Sequence, residues 1–286
     1  MSFFQKRFTY FISFLVLYAC DTEQEPAPAY LTVQDFSFQA KPGEGTSRQN
    51  ITDAWIYVNN QYVGAYELPA TIPVLSSGLL EVLIQAGFRK NGRITSPSRY
   101  ELLEPYQTTA LFDPLETTQL APSTAYQANL DFTFLEEFEG VHFLNIDRDG
   151  NSETKILLST VEDAFEGLRS GVIELTKDRK SLLAVYDIEK VIPQSPDPII
   201  LELHFKADIP FSIGFLGNKG ALGEDYLINA SLLPKKEWTK AYFDFRDIIN
   251  DSNANGYRLA ISANFQEDTA IAIQRILLDN IKVVHR

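Results

Sequence analysis

Sulfur and imidazole side chains are scarce in this sequence. Its 286 residues include a single cysteine, Cys20, and three widely separated histidines, His142, His204 and His285. One cysteine cannot form an intramolecular disulfide. The sequence also lacks the His-Glu-x-x-His segment of zinc hydrolases and the Gly-x-Ser-x-Gly segment of serine hydrolases. It therefore contains no recognisable catalytic or metal-binding constellation.

Basic residues are also underrepresented. The chain has 25 lysines and arginines against 38 aspartates and glutamates, which gives a formal net charge of −13. A surface of this sign repels phosphate backbones and anionic lipid, so we expect no nucleic acid partner. Neutral sugars, cations and basic protein patches remain as classes of partner.

A long apolar run occurs near the start of the chain, at residues 8–18 after Lys6 and Arg7. It is too short to span a bilayer, and the order of charge and then apolar residues is that of a secretory signal. The Leu17-Tyr18-Ala19-Cys20 segment resembles the bacterial lipobox, which implies cleavage before Cys20 and a lipid on its sulfur. We therefore expect residues 1–19 to be a lipoprotein signal peptide. Loss of Lys6 and Arg7 would leave a formal charge of −15.

An acidic, proline-containing stretch follows the cysteine, and we predict a tether over residues 20–29. Its Asp21-Thr22-Glu23-Gln24-Glu25 run resembles the signal that sends lipoproteins of Bacteroidetes-type bacteria to the outer face of the outer membrane. The resemblance implies a lipid-anchored outer-membrane protein that faces the cell surface. The periplasmic face is the alternative.

Alternating apolar and polar residues predict strands through the first half. The Trp55–Gly64 segment contains Asn59-Asn60, which suits a two-residue hairpin because asparagine tolerates positive φ. This segment resembles the small regulatory-like sandwiches of envelope proteins, which implies a spacer or binding module without catalytic residues. We predict a β-sandwich over residues 30–126, with a polar break at its end.

The second half, residues 127–286, has a regular strand rhythm and one short predicted helix at residues 245–250. Segments at Glu166–Leu175, Trp238–Asp244 and Leu277–Val284 resemble the galactose-binding-like jelly rolls that include many carbohydrate-binding modules. The chain as a whole resembles Bacteroidetes-type lipoproteins with this two-domain plan. The predicted fold is all-β, with two antiparallel sandwiches in series after the signal peptide and a jelly-roll-like second domain.

Aromatic residues are the candidate ligand contacts, since an aromatic face packs against the C–H face of a sugar ring. Trp55 and Trp238 are the first candidates, and Tyr226 and Tyr257 follow. All four lie in predicted strands, and such a position favours a place in the sandwich core over a ligand contact.

No cofactor is required by this sequence. The Asp147–Asn151 loop alternates oxygen donors, but Leu158 stands where a calcium-binding EF-hand needs glutamate, so a solvated turn is favoured. The jelly-roll resemblance implies that a structural calcium could instead use Glu166 and Asp279.

Two hypotheses of function follow. In the first, a non-enzymatic lipoprotein binds a carbohydrate or polymer through its second domain. In the second, it is a structural or accessory subunit that contacts other proteins of an envelope complex. A glycoside hydrolase with an unrecognised carboxylate pair is the third alternative.

Overall fold

The computed structural model describes residues 27–91 and 97–286. The predicted signal peptide, Cys20 and most of the predicted tether lie outside these residues. No helix in the described ranges is long and apolar enough to cross a bilayer. The first half contains strands β1 (Ala29–Val33), β2 (Ser37–Phe38), β3 (Asp53–Val58), β4 (Gln61–Glu67), β5 (Ala70–Val74), β6 (Gly78–Arg89), β7 (Pro97–Arg99), β8 (Tyr106–Phe112), β9 (Thr117–Leu120) and β10 (Ser123–Thr124).

The second half contains one α-helix and most of the strand residues. The helix α1 spans Arg246–Ser252, and short 3-10 turns lie at Val161–Asp163 and Gly220–Leu222. Its strands are β11 (Asp131–Glu136), β12 (Leu144–Asp147), β13 (Leu157–Leu158), β14 (Gly171–Leu175), β15 (Ser181–Tyr186), β16 (Ile200–Ala207), β17 (Phe211–Asn218), β18 (Glu224–Leu232), β19 (Lys235–Asp244), β20 (Gly256–Asn264) and β21 (Gln274–His285).

The larger sheet of the first domain has the strand order β4-β3-β6-β7, and β8 also pairs with β6. It packs against the sheet β5-β1-β9 and the two-stranded sheet β10-β2. Alternation along β3 sends Ala54, Ile56 and Val58 into the core. The pairs β1–β9 and β2–β10 are parallel, whereas we expected antiparallel pairing throughout. Partners so distant in sequence need no hairpin, so their direction is not restricted to antiparallel.

The predicted hairpin between β3 and β4 is present. Asn59 and Asn60 have φ angles of 47° and 62°. Two successive residues with positive φ are what a two-residue turn of this hand requires. The asparagine pair therefore sets the register in which Val58 lies opposite Gln61.

The second domain is a jelly-roll-like sandwich of two antiparallel sheets. One sheet has the order β13-β14-β21-β16-β19 with β11 also on β21, and the other has the order β12-β15-β20-β17-β18. Aromatic rings fill the space between them, where Phe215 contacts Phe134, Phe245 and Tyr257. The predicted strands and helix of this half are confirmed, whereas the short strands β12 and β13 were not predicted.

The first domain covers part of the outer face of the β21-containing sheet. Phe88, Tyr100 and Tyr126 pack with Ile200 and Tyr242 in a cluster that joins the domains. The last strand of the first domain ends at Thr124, and the first strand of the second domain begins at Asp131. The predicted boundary at residues 126 and 127 lies in the segment between them. One isolated bridge, Lys90 to Tyr242, crosses this boundary. Because of this cover, β16 is buried on both faces over most of its length.

A charged cluster lies inside this domain interface. Glu202 on β16 is fully buried, and its Oε2 lies 2.8 Å from Lys240 Nζ and 4.0 Å from Lys282 Nζ. Tyr100 and Tyr126 donate hydrogen bonds to Oε1, the latter at 2.7 Å. We call Glu202, Lys240, Lys282, Tyr100 and Tyr126 the interface cluster.

The interface cluster keeps Glu202 ionised. Burial by itself would raise the pKa of the Glu202 carboxyl, but the charges of Lys240 and Lys282 and the hydrogen bonds outweigh burial and lower it. Burial and the negative charge of Glu202 raise the pKa of Tyr100 and Tyr126, so both phenols remain donors. A buried charge of this kind is stable only while its partners remain in place.

We predict that Glu202→Gln destabilises the protein by about 3 kcal/mol, because the amide leaves two buried ammonium groups without their counter-charge. Glu67→Gln is the matched control, since Glu67 is 77% exposed where it pairs with Arg89, and we expect it to have little effect. Urea unfolding of both variants measures the difference. Equal stability of the two variants would contradict this account of the interface.

Candidate functional site

The loop between β2 and β3 crosses the outer face of the second domain, and we call residues 40–51 the strap. The carbonyl oxygen of Glu44 accepts a hydrogen bond of 2.6 Å from Lys282 Nζ. Thr46 donates its hydroxyl proton to Glu166. Gln49 Nε2 donates to Tyr126 at 2.8 Å and to Glu202 at 3.0 Å. The interface cluster therefore holds the strap against the sheet.

A cleft of about 630 Å³ lies between the strap and the second domain. One wall comes from the strap, and the floor comes from Phe165 before β14, from β16 and from β19. The residues that line it are Ser47, Arg48, Gln49, Asn50, Phe165, His204, Trp238, Thr239 and Lys240. Both domains thus contribute to this site, which we call the junction cleft.

Aromatic rings form the floor of the junction cleft. Phe165 lies 5.2 Å from Trp238 between ring centroids, and it stacks on the His204 ring at 4.2 Å. The guanidinium of Arg48 lies 5.6 Å from the Phe165 centroid. Phe165 and Trp238 are only partly buried, so their rings can take part in stacking with a ligand.

His204 is buried beneath this floor and is neutral. Burial, followed by the positive charges of Lys240, Lys282 and Arg48, lowers its pKa to about 2, and the charge of Glu202 opposes them only in part. Its Nδ1 atom has no hydrogen-bond partner among the described residues. A buried ring nitrogen without a partner is costly unless a ligand or water satisfies it.

The His204 pKa makes the protein sensitive to acid. Below pH 6.5 the unfolded chain takes up a proton at this imidazole while the folded chain does not, so stability falls by about 1.4 kcal/mol per pH unit. We predict that His204→Asn removes about 2 kcal/mol of the stability loss between pH 6.5 and 5. Urea unfolding of both proteins at several pH values tests this, and parallel pH profiles would contradict it.

The four aromatic candidates from the sequence have different environments. Trp238 lies in the junction cleft. Trp55 lies on the outer face of the first domain with its ring across Gly87, where an added Cβ would come within 2.2 Å of Trp55 Cζ3. Tyr226 is 51% exposed on β18 of the other sheet, apart from the cleft.

The prediction of Tyr257 as a stacking platform is wrong. Its side chain is in the core of the second domain, and only 2% of the residue is exposed. Its hydroxyl lies 2.7 Å from Ser252 Oγ. Strand β20 is buried at most of its positions. Tyr257 therefore packs against other core residues and cannot stack on a ligand.

The calcium candidates Glu166 and Asp279 do not fit a calcium site. Glu166 Oε2 accepts hydrogen bonds from Thr46 and, at 3.1 Å, from Asn280 Nδ2. Asp279 accepts a hydrogen bond of 2.6 Å from Ser170 Oγ, and burial raises its pKa to about 6. Calcium needs six to eight oxygen ligands. Within the described ranges no group of three or more His, Cys, Asp and Glu side chains could hold a metal ion.

Sequence reasoning missed most of the junction cleft. Arg48, Gln49 and Asn50 belong to a segment with no strand or motif signal, and Phe165 precedes a strand. His204 alternates with the inward residues Leu203 and Phe205, and this alternation could have placed it on the outer face. The alternation does not show, however, that β16 is buried on both faces.

Comparisons with known proteins identify no family for this chain. No protein-family model matches it, and no curated protein is significantly similar to it. Among solved structures it is similar to the family 30 carbohydrate-binding module of the cellulosomal cellulase Cel9D-Cel44B of Clostridium thermocellum, with 14% identity, coverage of 49% of this chain and 91% of that chain, and a TM-score of 0.40.

Two other carbohydrate-binding modules are similar at the same level. The C-terminal family 22 module of Clostridium thermocellum Xyn10B has 14% identity, covers 55% of this chain and 94% of its own, and has a TM-score of 0.38. A family 29 module has 12% identity, covers 56% of this chain and 92% of its own, and has a TM-score of 0.33. These values are too low to transfer a ligand or a binding residue.

Proposed function

We propose that this chain is a non-enzymatic carbohydrate-binding protein whose ligand occupies the junction cleft. The observation that carries the proposal is the partly exposed pair Phe165 and Trp238 on the cleft floor. Rings of this kind stack on the apolar face of a sugar. The Asn50 amide and the Thr239 hydroxyl lie around them and can bond sugar hydroxyls.

Hydrolysis in this cleft is not part of the proposal. Glycoside hydrolysis uses a pair of carboxylates on either side of the scissile bond. The described residues that line the junction cleft include no aspartate or glutamate. Binding without turnover is therefore the function that these residues support.

The proposal includes attachment of the protein to the outer membrane by a lipid on Cys20, at the cell surface. The support is the signal sequence and the single cysteine at its end. Strand β1 begins at Ala29, so an extended tether from Cys20 would hold the first domain within about 30 Å of the lipid.

An accessory role in an envelope complex is the second candidate. The outer face of the β3-containing sheet presents Tyr57 and Tyr62, whose ring centroids are 5.3 Å apart, beside Trp55. Leu79 and Leu111 lie further along the same sheet and are exposed. Exposed apolar patches of this kind also occur at protein interfaces.

We predict that Trp238→Ala weakens carbohydrate binding at least about tenfold, since it removes half of the stacking floor. Native gel electrophoresis in the presence of a panel of soluble polysaccharides measures binding as retardation of the protein. Tyr226→Ala is the matched control, because Tyr226 is exposed on the opposite sheet, and it should be retarded like the unaltered protein.

Two results would contradict the carbohydrate proposal. One is the absence of retardation on any polysaccharide, together with co-purification of envelope proteins. The other is equal loss of binding in the Trp238 and Tyr226 variants. Circular dichroism of each variant distinguishes a lost contact from a lost fold.

We predict that Cys20→Ser moves the protein from the membrane fraction to the soluble fraction, because the thiol is the site of lipid attachment. Metabolic labelling with a radioactive fatty acid should mark the unaltered protein and not the variant. Labelling of the variant, or unchanged membrane association, would contradict the anchor.

A further inference from the structure

The junction cleft differs in charge from the rest of the protein. The chain has 38 acidic residues against 25 basic ones. The cleft reverses this balance, since its described lining includes Arg48 and Lys240 and no carboxylate. Glu166 and Glu202 lie next to the lining, but each already accepts hydrogen bonds from protein donors.

Positive charge also lies beneath the floor of the junction cleft. The interface cluster pairs the single carboxylate of Glu202 with the two ammonium groups of Lys240 and Lys282. Burial lowers the pKa of Lys282, to about 8, so most of this lysine is protonated at pH 7. The cluster therefore carries an excess positive charge close to His204, whose pKa both lysines lower. The carboxylates of Glu44 and Glu137 also act on Lys282 and offset part of this charge. In a low-dielectric site such a charge attracts anions more strongly than the same charge in water.

Arg48 can reach a ligand from the strap. Its side chain is 62% exposed, and its one ion pair within the described chain joins Nε to Glu166 Oε1 at 3.5 Å. The pair uses Nε, so the terminal nitrogens of the guanidinium remain for a second acceptor. Two parallel hydrogen bonds from a guanidinium match the geometry of a carboxylate.

We propose that the junction cleft selects carbohydrates that carry carboxylates, as polymers of uronic acids do. This inference rests on the proposed carbohydrate-binding function. The sugar ring stacks on Trp238 and Phe165, and its carboxylate receives hydrogen bonds from the Arg48 guanidinium. His204 lies beneath the stacking rings and supports Phe165 from below.

The test uses polygalacturonate and the same polymer after chemical reduction of its carboxylates to alcohols, which leaves a neutral chain of equal backbone. Isothermal titration calorimetry with the full mature protein measures both affinities. We expect the reduced polymer to bind at least about tenfold more weakly than polygalacturonate, because it lacks the charge-assisted contact with Arg48. Dextran sulfate is the third probe, because it carries negative charge without carboxylates.

Variants of Arg48 test the residue that makes the contact. Arg48→Gln should lower the affinity for polygalacturonate about tenfold and leave that for the reduced polymer unchanged. Arg48→Lys should recover only part of the affinity, because an ammonium cannot bind the carboxylate at two points. Arg99→Gln is the matched control, since Arg99 is a partly exposed arginine on β7, and should have no effect.

Each result supports or overturns the inference. Equal binding of the native and reduced polymers overturns it and leaves the carbohydrate-binding function intact. Binding of neither polymer, and of no other polysaccharide, refutes the function itself. Dextran sulfate binding as tight as that of polygalacturonate shows recognition of charge alone, which also overturns selection for carboxylates.

Discussion

The carboxylate of Glu202 is buried between two domains, and the arrangement of the molecule depends on its ion pairs. Lys240 and Lys282 come from β19 and β21, the two strands that flank β16, whereas Tyr100 and Gln49 come from the first domain. A charge in such a place is stable only if every partner is present. The two sandwiches are therefore fixed in one relative orientation, and the strap is fixed with them.

That fixed orientation creates the junction cleft. The strap supplies one wall, and strands of the second domain supply the floor. The positive charge that stabilises Glu202 also reaches the cleft, because Lys240 belongs to both the interface cluster and the cleft lining. The same residues thus join the domains and set the electrostatic potential of the site. A domain taken alone would lack one side of the cleft.

Local sequence pattern predicted the elements of the fold well. The alternation of the second half marked the strands from β14 to β21, and the Asn59-Asn60 pair marked the first hairpin, because these signals depend only on neighbouring residues. The parallel pair β1–β9 was missed, since its partners are far apart in sequence. A segment as short as β13, with two residues, carries no periodic signal.

The residues of the candidate site were much harder to predict from the sequence. Trp238 was predicted as a ligand contact, and it lies in the junction cleft. Arg48 and His204 could not be found in the same way, because their role depends on the strap crossing a distant sheet. Glu202 and Lys240 alternate with core residues, yet both are buried, since the outer face of their sheet is covered by the other domain. Contacts between domains produce no periodic pattern in the sequence of either domain.

The central claim is that the interface cluster joins the two sandwiches into a single cooperative unit that carries the cleft. Differential scanning calorimetry of the full mature protein tests it most directly. One transition, with a calorimetric enthalpy equal to the van't Hoff enthalpy, is the result we expect. Two separate transitions, one for each sandwich, would show that the domains unfold independently and would contradict the claim.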